Sequence, residues 1–127
     1  MQYSSLVAFL SGTMRAEAFA AEIEKEVVAF YADLRATKHG FIDISRGPTF
    51  EMTRAATRLL LSAVASHLLS PDAAVYVADC ILASDDIEVE DEVIRDALAF
   101  LEDDTNRFIN KPLWTRQELT TVLRSLD

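Results

Sequence analysis

Apolar side chains at Ala20, Ile23, Val27, Phe30 and Leu34 recur at alternating spacings of three and four, with Tyr31 beside them. That period places them on one face of an α-helix, whereas a strand would scatter them over both of its faces. Glu22, Glu26 and Asp33 fall on the opposite face, so the spacing predicts a long amphipathic helix. Lys38, His39 and Gly40 follow as a helix stop, with cations in the last turn and glycine just beyond. The same period governs most of the chain. Half of the 127 residues are hydrophobic, with only three Gly and three Pro. Such a chain has the material for a core and little for disorder. The expectation is one all-α domain over 1–127, a compact bundle of about six helices.

Leu6, Phe9 and Leu10 mark a short first helix, which Ser11-Gly12-Thr13 interrupts with Thr13 as the expected N-cap of the long helix. Phe41 to Pro48 reads as a connector, with Phe41–Ile44 too short for a strand and Ser45-Arg46-Gly47-Pro48 as turn chemistry. Thr49 is the expected cap of a third helix. Its buried stripe runs through Phe50, Thr53, Ala56, Leu60, Val64 and Leu68, and Leu59-Leu60-Leu61 widens it, which predicts a central position. Ser70-Pro71-Asp72 is a sharp boundary, since Ser caps, Pro suits the first helical position and Asp suits the positive end of the dipole. Val77, Ala78, Ile81 and Leu82 give the fourth helix its apolar face. Asp85-Asp86 breaks it, and Val93, Ile94, Ala97, Leu98 and Leu101 define a fifth. Asn106 to Trp114, containing Pro112, reads as a loop. Thr115 and Glu118 then form a capping box, with Trp114 and Leu119 at the staple positions, before Val122, Leu123 and Leu126. No internal repeat is visible.

The acidity is local. Between Asp85 and Asp104 stand ten acids, namely Asp85, Asp86, Glu88, Glu90, Asp91, Glu92, Asp96, Glu102, Asp103 and Asp104, against one base, Arg95. The formal net charge of the chain is −9, and eleven acids and eleven bases elsewhere cancel. With the fifth helix buried along Val93–Leu101, residues Asp91, Glu92, Asp96, Glu102 and Asp103 are expected to form an outward ridge. Two readings stay open: a solvated face that keeps the chain dispersed, or an electrostatic docking surface for a basic partner. Asp103 and Asp104 lie at the negative end of the helix dipole and do not fit the first reading. Binding of nucleic acid is disfavoured by the charge.

Little else points to chemistry. Asp86, Glu88, Glu90 and Glu92 alternate like the start of a calcium loop, but Asp91 stands where the turn needs Gly and Ala97 where a bidentate Glu is needed. Weak cation binding by the clustered carboxylates is the remaining metal reading. His39 and His67 have no partner at zinc-site spacing and read as helix C-terminal cations. Cys80 sits in an apolar helix as a small core residue and has no second cysteine, so a reducing compartment such as the cytoplasm is expected. No secretory leader, membrane span, phosphate loop or nucleophile elbow stands out, and neither an enzymatic activity nor a cofactor is expected. Arg46, Arg54 and Arg58 form either a small basic patch or the partners of Glu51 and the acidic ridge. Tyr76 and Phe108 are read as solvent-side aromatics, either anchors for a partner or packing residues.

The run Asp85-Asp86-Ile87-Glu88-Val89-Glu90-Asp91-Glu92, with Glu102-Asp103-Asp104, size and helical class, resembles the small acidic helical immunity proteins of bacterial toxin–immunity systems, of the contact-dependent-inhibition or bacteriocin kind. It covers roughly a sixth of the chain. The resemblance implies a non-catalytic inhibitor that binds a cognate basic toxin domain, often a nuclease, through acids that stand in for phosphates. Partner-binding residues would then be Asp85, Asp86, Glu88, Glu90, Asp91, Glu92, Asp96, Glu102 and Asp103. The paired tyrosines of the colicin DNase immunity family are missing, since Tyr3, Tyr31 and Tyr76 are scattered. Ala83-Ser84-Asp85-Asp86 is also similar to a helix junction of tellurite-resistance TerB-like domains, without the Gly expected after the Asp. The alternative function is a helical scaffold or regulatory subunit, of phage-derived or TerB-like type, that self-associates or binds a protein.

Overall fold

The structure is a computed structural model that describes residues 1–102 and 114–127. Asp103, Asp104, Phe108 and the expected loop up to Leu113 lie outside the described residues. Six helices account for the described architecture: α1 (Tyr3–Leu10), α2 (Ala16–Thr37), α3 (Arg54–Ala65), α4 (Pro71–Ala83), α5 (Glu92–Leu101) and α6 (Arg116–Ser125). The fold is all-α, with one addition that local pattern did not announce. Phe50–Glu51 (β1) and Ile87–Glu88 (β2) pair as a two-stranded parallel ladder, in the register Phe50 with Ile87 and Glu51 with Glu88.

The helix starts follow local chemistry. Ala73 N–H donates to the Ser70 hydroxyl (3.1 Å) and Pro71 opens α4. Thr115 and Glu118 form the reciprocal capping box of α6. Two expected caps move. Thr13 does not cap α2; its hydroxyl donates to the Ala8 carbonyl (3.0 Å) in the preceding turn, and Arg15 stands at the N-cap. Thr53, not Thr49, caps α3 by accepting from Ala56 N–H (3.0 Å), because Phe50 and Glu51 are drawn into the ladder.

The helix ends show one device used twice. After α1, Gly12 N–H donates to Phe9 O (3.0 Å) and Thr13 N–H to Ala8 O (2.9 Å). After α3, His67 N–H donates to Val64 O (3.1 Å) and Leu68 N–H to Ala63 O (2.9 Å). Both are Schellman endings, which place one residue in the left-handed region. Gly12 takes it at φ 80° and His67 at φ 60°. Each is followed by a third bond to the same carbonyl, from Met14 N–H to Ala8 O and from Leu69 N–H to Ala63 O, and then by the next helix. The bonds recur 55 residues apart, so α1–α2 and α3–α4 are two helical hairpins closed by the same turn. The stop of α3 at Ala65 also takes Leu68 out of the expected stripe and leaves it 44% exposed. At the end of α2, Lys38 takes the left-handed conformation (φ 62°) instead of Gly40. Gly40 is needed for space, since a Cβ there would meet the Phe30 ring.

α3 packs against α1, α4, α5 and α6, which is the central position its apolar run suggests, although Leu59 itself faces out. α4 packs on α2 and α5 and is enclosed on nearly all sides, with six consecutive residues buried from Ala73 to Ala78. Leu82 lies outside that enclosure and is exposed. Tyr76 is 2% exposed, a correction to its reading as a surface aromatic. It lies against Phe30 with ring centroids 5.2 Å apart, and its hydroxyl donates to Glu26 (3.2 Å). Glu26 also receives the Met1 ammonium at 3.2 Å, so this acid of the polar face of α2 is turned into a contact with the core. Phe9 stacks on Phe19 at 4.6 Å to join α1 to α2.

The connector between α2 and α3 is an ordered strap. The Met1 ammonium donates to Asp43 O (2.8 Å), Ser45 N–H to Met1 O (3.1 Å) and Tyr3 N–H to the Ser45 hydroxyl (2.8 Å). The Tyr3 hydroxyl donates to Pro48 O, and its ring lies on Gly47 so closely that a Cβ would fall within it. Phe50 N–H and Met52 N–H then donate to Asp86 O and Glu88 O, each at 2.8 Å. The strap thereby delivers Arg46 and β1 to the segment between α4 and α5.

Candidate protein-docking face

The segment 84–91 leaves α4 at a buried Ser84, whose hydroxyl accepts from Asp86 N–H (3.2 Å), and enters α5 at Asp91. Two arginine forks hold it. Arg46 donates to Asp86 through Nε (2.7 Å) and Nη2 (3.0 Å), and Gly47 N–H adds a third bond to the same carboxylate (3.2 Å). The Asp86 side chain is 12% exposed, while that of Arg46 is mostly in solvent. Arg54 donates to Asp91 through Nε (2.7 Å) and Nη2 (3.4 Å), and Asp91 in turn caps α5 by accepting from Val93 N–H (2.9 Å). Bidentate guanidinium–carboxylate pairs are directional as well as strong, so each fork fixes orientation. The Arg46 hydrogen bonds hold the Asp86 carboxyl below its ordinary range. The Arg54 hydrogen bonds, followed by the bond from Val93 N–H, do the same for Asp91.

These contacts settle the role of the basic residues. Arg54 and Arg58 also donate to the end of α6, at Asp127 O (3.3 Å) and Leu126 O (2.8 Å) respectively. Arg46 and Arg54 thus pair with acids of the 85–104 segment, as the pairing alternative expects, whereas Arg58 pairs with the end of α6 and with neither Glu51 nor the acidic segment. Arg95 folds back to donate to Val89 O.

The nine acids proposed for partner binding therefore divide. Asp86 and Asp91 are engaged internally. Asp85 is exposed, 3.8 Å from the Arg46 fork. Glu88, Glu90, Glu92 and Asp96 are exposed, and Glu102 is half-buried at the C-cap of α5. Asp103 lies outside the described residues. The structure adds Glu51, exposed and in register with Glu88 on the ladder. No local signal marks Glu51, because its neighbour is 37 residues away. Like charges on adjacent ladder positions repel, and a cation between them relieves the repulsion. Asp85, Glu88, Glu90, Glu92, Asp96 and Glu51 are exposed carboxylates on a braced loop and helix, with Arg95 among them, and can accept charge-assisted hydrogen bonds from lysine or arginine.

Among the described residues no group of three or more His, Cys, Asp or Glu is placed to hold a metal ion. Cys80 is fully buried, and burial pushes its thiol up to about 12, which favours the protonated form at neutral pH. Burial likewise raises the Tyr76 hydroxyl above its ordinary value. Among the described residues no helix is long and apolar enough to cross a membrane. Comparison with family models, with curated proteins and with solved structures returns no significant match.

Proposed function

We propose that the chain is a non-catalytic, protein-binding inhibitor of the immunity type, which docks a basic toxin domain such as a nuclease on the carboxylate face. The observation that carries this reading is the division of the acids. Asp86 and Asp91 are neutralised by forks from the strap and from α3, and Asp85 is an exposed pair with Arg46, while Glu88, Glu90, Glu92, Asp96 and Glu51 point their charge into solvent. A loop already braced in place loses little freedom on binding, and free carboxylates steer a cationic partner. Acids on a fixed frame also offer a nucleic-acid-binding surface the charge it is built to meet.

The test is replacement of the free acids alone. The triple variant Glu88→Lys, Glu92→Lys, Asp96→Lys is expected to keep its helicity by circular dichroism. It should lose both its inhibition of a basic nuclease domain and the salt-dependent association rate. Asp91 is left intact, because removing it breaks a cap and a fork. Undiminished binding by the triple variant, or wild-type binding indifferent to salt between 50 and 300 mM, about a 2.5-fold change in Debye length, would refute the proposal.

A further inference from the structure

A second surface lies at the other end of the α3–α4 hairpin. α4 spans 13 residues, so its first turn stands about 20 Å from the acidic segment at its far end. Here α2 presents an exposed stripe of Glu17, Ala21, Glu24, Lys25 and Val28, on one helical face by its spacing. At one end of the stripe Val28 projects, 62% exposed. At the other end the two hairpin turns enclose an apolar hollow of about 310 Å³, lined in part by Phe9, Gly12, Met14, Leu59 and Leu68. Leu68 borders both this hollow and the groove beside Val28.

Charge on the stripe is balanced, in contrast with the acidic face. Arg15, whose side chain is 88% exposed, stands beside Glu17 at the hollow end. Lys25 stands beside Glu24 at the Val28 end. The hollow end therefore carries one cation and one anion, and the Val28 end one cation with two acids, since Asp72 also lines the groove there. The geometry points to a second copy of this chain as the occupant. Two α2 helices running antiparallel across a two-fold axis near Ala21 place Val28 of each copy over the hollow of the other. The same rotation sets Arg15 near Glu24 and Glu17 near Lys25 of the opposite copy. An isologous contact requires such self-complementarity, a knob and its hollow together with opposite charges on one patch. A uniformly basic partner would find little net charge here, because two cations stand among three acids. The acidic faces stay at the outer poles of the pair, farther apart than the screening length in physiological salt, about 8 Å.

Sedimentation velocity of the full chain tests this, at concentrations up to the order of 100 μM. A dimer is expected. Val28→Glu should give a monomer with unchanged helicity, as the side chain is not part of the core. Arg15→Glu and Glu24→Arg should each weaken the dimer about tenfold, and the two together should restore it, because the swap rebuilds both pairs. A monomeric wild type overturns the inference, as does a dimer that survives Val28→Glu or a double variant no tighter than either single one. None of these outcomes bears on the carboxylate face, whose variants leave this stripe untouched.

Discussion

His67 holds a conformation that an L-amino acid resists. It ends α3 at φ 60°, in the position that Gly12 fills after α1, with the same pair of hydrogen bonds closing each turn. The left-handed region costs a residue with a Cβ about 1–2 kcal/mol, and glycine gives back about 0.5–1 kcal/mol of that through its greater freedom in the unfolded chain. His67→Gly should therefore stabilise the protein by about 0.5–1 kcal/mol. For a chain of this length 1 kcal/mol moves the midpoint by about 4 °C, so Tm should rise by about 2–4 °C. Gly12→Ala is the mirror experiment. The nearest atom to a Cβ there is Leu59 Cδ1 at 3.8 Å, an ordinary contact, so its loss of about 1 kcal/mol reports the backbone alone. His67→Asn should fall between His and Gly, because Asn visits the left-handed region more readily. Thermal and urea unfolding followed by helical circular dichroism read all three. If His67→Gly is no more stable than wild type while Gly12→Ala is destabilised, the reasoning fails, and the histidine side chain must contribute what its backbone loses.

Three further outcomes follow from the packing and the ion pairs. Asp86 and Asp91 have folded pKa values held below the ordinary 3.8 by their arginines, so the stability they confer is complete above that value and is lost as pH falls through the folded values. Urea midpoints should drop steeply below about pH 4, and Asp86→Asn with Asp91→Asn should flatten that acid limb while lowering the plateau at neutral pH. Gly47→Ala drives a Cβ into the Tyr3 ring and should cost about 1–3 kcal/mol, with the near-ultraviolet tyrosine signal changed; an unaltered spectrum and midpoint would contradict the close approach. Thr115→Ala removes half of the capping box and should cost about 1 kcal/mol, seen as faster amide exchange in the first turn of α6 and not in α4.

What could be read from the sequence was what residues a few positions apart decide. Ser70-Pro71 and the Thr115–Glu118 box sit where expected, because a cap is a bond across three residues. The apolar faces of α2 and α5 followed their period for the same reason. Thr49 misled because the start of α3 is set by Phe50 pairing with Ile87, a partner out of local reach. Leu68 misled because periodicity continues past a stop that a histidine, not a glycine, supplies. Tyr76 misled because it shares the polar side of α4 with Asp72 and Asp79, yet meets Phe30 and Glu26 of α2, far away in sequence. On the docking face, the ten acids were visible as composition. Which of them remain free depended on Arg46 and Arg54, 40 and 37 residues away from their partners, and Glu51 joined the face only through the ladder.

The ladder has a kinetic consequence. It joins Phe50 to Ile87 and so closes a loop of 37 residues, most of which is the α3–α4 hairpin. Closing a flexible loop of that length costs about 3 kcal/mol of chain entropy, more than two residue pairs return. The hairpin must bring the ends together first, so the ladder is expected to form late in folding. Substitutions in it should leave the folding rate nearly unchanged and accelerate unfolding.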